Sequence, residues 1–126
     1  MAERTSVLVV AAQSSLRESL TALLRSIPLI TTVHQADGAV SGLRIAETTL
    51  PALVLLDASL PDGEAWLLLS QLRARWPQTQ YVVLTDTTQL RRRAEAAGAS
   101  RVVLKGFPAA KLSTLLEQLM QQMAQV

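Results

Sequence analysis

Short apolar runs alternate with segments of helical spacing along the whole chain. Val7-Leu8-Val9-Val10, Leu53-Val54-Leu55-Leu56, Tyr81-Val82-Val83-Leu84 and Val102-Val103-Leu104 are unbroken by polar residues. Runs this short, bounded by turn residues and rich in valine, predict strands buried on both faces. A fifth strand is expected over about Ile30–Gln35, ahead of an Asp37-Gly38 turn.

Between the runs the period changes to that of a helix. Ser15 followed by Glu18 predicts a capping box at a helix start. Leu16, Leu20, Leu23, Leu24 and Ile27 then recur on one face, with Pro28 as the stop. Val40, Leu43 and Ala46-Glu47 predict a shorter helix ending before Pro51. Pro61-Asp62-Gly63 reads as a turn, because proline fixes φ and glycine accepts positive φ. Ala65, Leu68, Leu69, Leu72 and Trp76 make one buried stripe closed by Pro77. A weakly apolar helix is expected over about Gln89–Ala97 with Gly98 as its C-cap. The last helix starts near Ala109 and carries Leu112, Leu115, Leu116, Leu119 and Met123 on one face. Strand followed by helix, five times, predicts right-handed crossovers in a doubly wound α/β domain spanning residues 1–126. It should have a five-stranded parallel sheet, two helices on one face and three on the other. In such sheets ligands bind at the carboxyl ends of the strands.

Composition narrows the class. The 126 residues are 49% hydrophobic, enough for one packed domain and against disorder. No apolar run approaches the roughly 20 residues of a membrane helix. The start Met1-Ala2-Glu3-Arg4-Thr5 lacks the cationic and apolar regions of a secretory leader. Cysteine is absent, which excludes disulfides and thiolate chemistry and fits a cytoplasmic location. The net charge of +2 implies nothing by itself, but Arg91, Arg92, Arg93, Arg101 and Lys111 make the C-terminal half basic. Such a cluster is either a solvated helix face or a docking surface for an acidic partner. With aromatic residues scarce and apart from the arginines, no direct contact with nucleic acid is expected. No glycine-rich nucleotide motif, metal-ligand cluster or Ser/His/Asp set points to an enzyme, and His34 stands alone inside a predicted strand as a structural residue.

The apolar runs deliver Ala11-Ala12, Asp57, Thr85 and Lys105 to one edge of the sheet. With "LVLLDASLPDGEAW" around Asp57, "YVVLT" ending at Thr85 and "AEAAGASRVVLK" ending at Lys105, the whole chain resembles the receiver domain of bacterial two-component response regulators. Lys105-Gly106-Phe107-Pro108 is most similar to receivers fused to helix-turn-helix output domains. The resemblance implies a flavodoxin-like fold, Asp57 as phosphoacceptor, and Thr85 and Lys105 as phosphate-binding and switch residues. It further implies a magnesium ion held by Asp57, a backbone carbonyl near Ser59 and an acidic pair. That pair is replaced here by Ala11 and Ala12, whose methyl groups offer a hard cation nothing. No metal or other cofactor is therefore expected. A pocket left with Asp57 as its family-type carboxylate, opposed by Lys105, is expected to have a formal charge near zero. Ser59, Asp86 and Thr87 are the expected modulators of the pocket; Asp86 could supply a replacement carboxylate, although strand alternation argues against it.

Family members commonly carry an aromatic switch residue midway along the fifth strand; Val102 stands there, stiff at χ1 and without a ring. The resemblance thus leads to a degenerate receiver in a two-component or phosphorelay pathway, non-catalytic and acting by protein–protein contact. The alternative is a phosphoacceptor at Asp57 that regulates a DNA-binding output domain, fused beyond Val126 in the natural protein or separate. Expected partners are a histidine kinase, an output domain or another regulator, with a homodimer through the fourth helix, fifth strand and fifth helix as a further possibility. Arg91, Arg92, Arg93 and Arg101 would dominate that surface.

Overall fold

The computed structural model describes residues 5–124. Met1 to Arg4, where a leader would begin, and the side chain of Met123 lie outside the described residues. The elements run β1 (Ser6–Val10), α1 (Ser14–Arg25), β2 (Thr32–Ala36), α2 (Ala39–Thr49), β3 (Leu53–Asp57), α3 (Glu64–Arg75), β4 (Gln80–Thr85), α4 (Arg91–Ala97), β5 (Arg101–Leu104) and α5 (Ala109–Ala124). Every strand pair is parallel, and the order across the sheet is β2-β1-β3-β4-β5. The chain steps from β1 outward to β2 and then back across to β3, so strand order reverses between β1 and β3. In sheets of this order the switch point makes a crevice at the carboxyl ends of those two strands.

The apolar runs form the three central strands because those are covered on both sides. Alternate residues of β1, β3 and β4 point into two separate cores. Val7, Val9, Leu53, Leu55, Val82 and Leu84 pack with α1 and α5 through Leu20, Leu24, Leu112, Leu116 and Leu119. Leu8, Val10, Val54, Leu56, Tyr81 and Val83 pack with α2, α3 and α4 through Ala46, Leu68, Leu69, Leu72 and Ala94. The two-and-three division of helices is as expected from the sequence. Tyr81 closes the second core at its lower end, its hydroxyl directed at the carbonyls of Leu72 (2.9 Å) and Trp76 (2.8 Å) where α3 stops.

Several local expectations are corrected. No side chain caps α1: the helix begins at Ser14 after an extended Gln13, so Ser15 is already inside it and the Ser15/Glu18 capping box does not form. Arg17, one turn in, instead reaches back to the carbonyls of Ala11 (2.8 Å) and Ala12 (3.3 Å). The helix also ends at Arg25, before Pro28, with the Ser26 N–H bonded back to the Leu23 carbonyl and the Ile27 N–H to that of Leu24. β2 begins at Thr32, not Ile30; the Ile30 N–H is used in a turn to Ile27. Trp76 leaves the α3 stripe as its C-cap and lies half-buried under the Arg75 guanidinium, 4.4 Å from the ring centroid. The fourth helix opens with a 3-10 turn at Thr88–Leu90 before its α-helical part. Gly98 does cap it, at φ 117°, where a Cβ would lie 2.7 Å from Arg73 Cγ; both backbone and space demand glycine.

Candidate functional site

Three strands carry Asp57, Thr85 and Lys105 to the carboxyl edge. Asp57 is the last residue of β3 and Thr85 the last of β4, and both are buried at 3% and 1% exposure. Lys105 follows β5 directly, and its backbone N–H extends the ladder to the Thr85 carbonyl at 2.9 Å. That bond fixes where the lysine stem starts. The side chain then returns over the β3 end, and Nζ sits 2.8 Å from Asp57 Oδ1.

The same ammonium meets two more oxygens. Lys105 Nζ donates to Ser59 Oγ at 2.9 Å and lies 3.7 Å from Asp86 Oδ2. Ser59 joins the network twice more: its backbone N–H donates to Asp57 Oδ1 at 2.9 Å, and its hydroxyl reaches Asp86 Oδ2 at 3.4 Å. Asp57, Ser59, Asp86 and Lys105 thus close a ring of polar contacts over the crevice. Asp86 belongs to it because it lies beyond β4, where strand alternation no longer dictates direction. Asp86, largely exposed, adds a second carboxylate beside the Asp57–Lys105 pair, so these three charges sum to −1.

Thr85 does not join the ring. Its hydroxyl donates to the Thr87 carbonyl (3.2 Å) and accepts from the Thr87 N–H (3.3 Å), so its one proton is committed inside its own loop. At the β1 side of the crevice Ala11 is fully buried and Ala12 exposed, and neither side chain bears a donor atom. Among the described residues there is no group of three His, Cys, Asp or Glu side chains able to hold a metal ion. The donor set that is present, two carboxylates already engaged by an ammonium, does not fit a magnesium ion, which asks for six oxygens in near-octahedral array.

Val102 is half-buried in β5 and packs with the α2–α3–α4 core. Arg91, Arg92, Arg93 and Arg101 are all exposed. They are not equivalent: Arg93 lies 5.2 Å from the centroid of the Trp66 ring and is partly committed to it. Leu104 and Phe107, each 39% exposed, lie in β5 and the loop that follows it. The sequence reading passed over them because Leu104 looked like one more core position. β5 is an edge strand, and its burial is correspondingly uneven.

The sequence profile described as the response regulator receiver domain matches residues 7–117. No curated protein is similar enough to count as a match. Among solved structures, the chain is similar to a response regulator receiver domain protein (CheY-like) from Methanospirillum hungatei JF-1, at 21% identity and TM-score 0.88 over 98% of each chain. A signal receiver domain of an HD domain-containing protein from Pseudomonas fluorescens Pf-5 is 25% identical, with TM-score 0.88 over 98% of this chain and all of that one. A LuxR-family two-component response regulator from Aurantimonas sp. SI85-9A1 is 22% identical, with TM-score 0.86 over 95% of this chain and 87% of that one.

Proposed function

This chain belongs to the response regulator receiver domain family, and from that premise we propose that it is a degenerate receiver, a docking module of two-component or phosphorelay signalling that works without magnesium-dependent phosphorylation. The observation that carries the reading is the β1 edge. Phosphoryl transfer to a carboxylate is mostly positioning and neutralisation of charge. Here the position of the acidic pair is filled by Ala11, buried, and Ala12, while Lys105 already neutralises Asp57 at 2.8 Å. Asp86 adds a carboxylate beside the acceptor, which repels an incoming anionic donor. Asp57, Thr85 and Lys105 keep the pocket folded; they do not perform chemistry. Ser59, Asp86 and Thr87 tie the loops over it, and Val102 packs in place of a moving ring.

The output face is α4, β5 and the start of α5. Arg91, Arg92 and Arg101 give it positive charge, and Leu104 and Phe107 give it apolar contact area. Two such faces repel one another, so the occupant is an acidic protein surface (of a kinase, an output domain or another regulator) in preference to a second copy or nucleic acid. No described helix is long and apolar enough to cross a membrane; the proposed setting is the cytoplasm, where such partners operate.

One comparison tests this. Asp57→Asn and the triple change of Arg91, Arg92 and Arg93 to Ala are assayed side by side, by pull-down and by reporter output. The arginine variant should lose binding and its salt dependence, and Asp57→Asn should retain both. Loss of output in Asp57→Asn alone, together with a phosphoryl adduct on the unaltered protein after acetyl phosphate and magnesium, would instead establish Asp57 as a working phosphoacceptor.

A further inference from the structure

Two large apolar side chains stand where no core needs them, and they face the same groove. α2 packs on the sheet through Gly42 and Ala46, its buried residues, and Val40 is left 72% exposed. α3 packs through Ala65, Leu68, Leu69 and Leu72, and Leu67 is left 62% exposed on a different face. Both helices return antiparallel to the strands and lie side by side. Val40, Leu43 and Leu67 line a groove of about 470 Å³ between them, bounded by Arg44, Glu64 and Gln71. An apolar position that breaks the helix's own inside–outside pattern, twice and at one spot, marks a contact surface more than it marks chance.

The charges on the rim name the occupant. Neither Arg44 nor Glu64 has an ion-pair partner among the described residues, whereas Glu47 is paired with Arg75 at 3.1 Å. The face therefore offers one free charge of each sign around an apolar floor. A two-fold contact is self-complementary when it pairs opposite features of the same patch. An axis running along the groove would lay α2 of each copy on α3 of the other. Arg44 would then come within about one helical turn, some 5 Å, of Glu64 of the second copy, and an arginine side chain spans that gap.

We infer that the α2–α3 face is a self-association surface, through which two copies of this chain pair by burying Val40, Leu43 and Leu67 and exchanging Arg44–Glu64 contacts. The α4–β5–α5 face stays open in such a dimer, so the inference does not rest on the docking reading above and can fail separately. The affinity is low. Helices of 11 and 12 residues present a face about 17 Å long and 20 Å wide. The area buried by two such faces falls short of the roughly 1,200 Å² of stable complexes. An interface below that size belongs with weak, transient contacts, whose dissociation constants lie between micromolar and millimolar.

Sedimentation equilibrium or light scattering from about 10 µM to 1 mM, a span inside that affinity range, tests it on the full chain. The expected result is a monomer–dimer equilibrium that Leu67→Lys abolishes and that the triple change of Arg91, Arg92 and Arg93 to Ala leaves unchanged. Arg44→Glu and Glu64→Arg should each weaken it by about fivefold, because the two-fold axis repeats the modest exposed charge contact, and the double variant should restore it. A monomer throughout the range would overturn the inference. So would a dimer indifferent to Leu67→Lys, or a charge swap that fails to restore association.

Discussion

Replacing Lys105 by methionine keeps an unbranched stem of similar length and removes only the ammonium. Asp57 would then keep its charge with the Ser59 N–H as its remaining partner. The two members of the pair are buried unequally: the Asp57 side chain is 4% exposed and that of Lys105 21%. Breaking a fully buried pair costs about 3–5 kcal/mol because a bare charge is left behind. An exposed pair costs about 0–1 kcal/mol. The charge left here is the more buried one, so the cost lies toward the higher range, reduced by the one N–H bond that stays. We expect about 2–3 kcal/mol of destabilisation. Asp57→Asn alone leaves the charge on the more solvated partner, which still has Ser59 and Asp86, and should cost about 1 kcal/mol. In Asp57→Asn/Lys105→Met no buried charge remains, and the double variant should recover most of the loss, giving a coupling of about 2 kcal/mol. Urea denaturation of the four proteins at pH 7 measures this, provided the slopes agree so that midpoints compare stability. A Lys105→Met variant within about 0.5 kcal/mol of the unaltered protein, the size of an ordinary surface substitution, would refute the reasoning. So would a double variant no more stable than Lys105→Met. Either would mean that Asp57 is held by the backbone alone.

Two further outcomes follow from the same structure. Ala11→Asp/Ala12→Asp returns carboxylates to the β1 edge beside Asp57; the variant should be less stable than the unaltered protein in chelator and regain stability in millimolar magnesium, while the unaltered protein's melting temperature does not respond. Burial raises the pKa of the Tyr81 phenol above its ordinary 10, against smaller opposing effects of the Thr79 hydrogen bond and the Arg73 charge. The neutral phenol is thus the form the fold favours, so its contribution is complete below pH 10 and is lost as pH rises through the higher folded value; the urea midpoint should fall more steeply over that alkaline range in the unaltered protein than in Tyr81→Phe, which itself costs about 1 kcal/mol at neutral pH.

The sheet was legible because central parallel strands leave almost no room for polar residues. Val7 to Val10, Leu53 to Leu56 and Tyr81 to Leu84 are apolar without a break for that reason, and their ends located Asp57 and Thr85 to the residue. β2 was less clear, since an edge strand is only half covered and Thr32–Ala36 mixes exposed and buried positions. The start of α1 was misread on local grounds: Ser15 and Glu18 have capping-box spacing, but the contact from Arg17 to the Ala11 and Ala12 carbonyls belongs to the folded crevice and not to the helix. Val40 was placed on a helical stripe that exists in the sequence, yet the core is closed by Gly42 and Ala46 instead. Asp86 is the instructive case. Residue spacing shows it next to Thr85, and only the paths of the loops after β3 and β4 show that its carboxylate meets Ser59 and Lys105.

A receiver that switches needs groups with two sets of partners, since a ligand can shift an equilibrium only by as much as it prefers one state. In this structure the groups around the crevice are engaged by partners within the pocket itself. The Thr85 hydroxyl is satisfied twice by Thr87, so drawing it toward Asp57 would forfeit both bonds. Lys105 is shared among Asp57, Ser59 and Asp86, all within the same ring. Val102 packs into the second core with no ring to exchange between an inward and an outward seat. On the reading proposed above, the arrangement holds the crevice in one state, and the α4–β5–α5 face is presented continuously. Control on that reading acts on the partner's concentration or on access to that face.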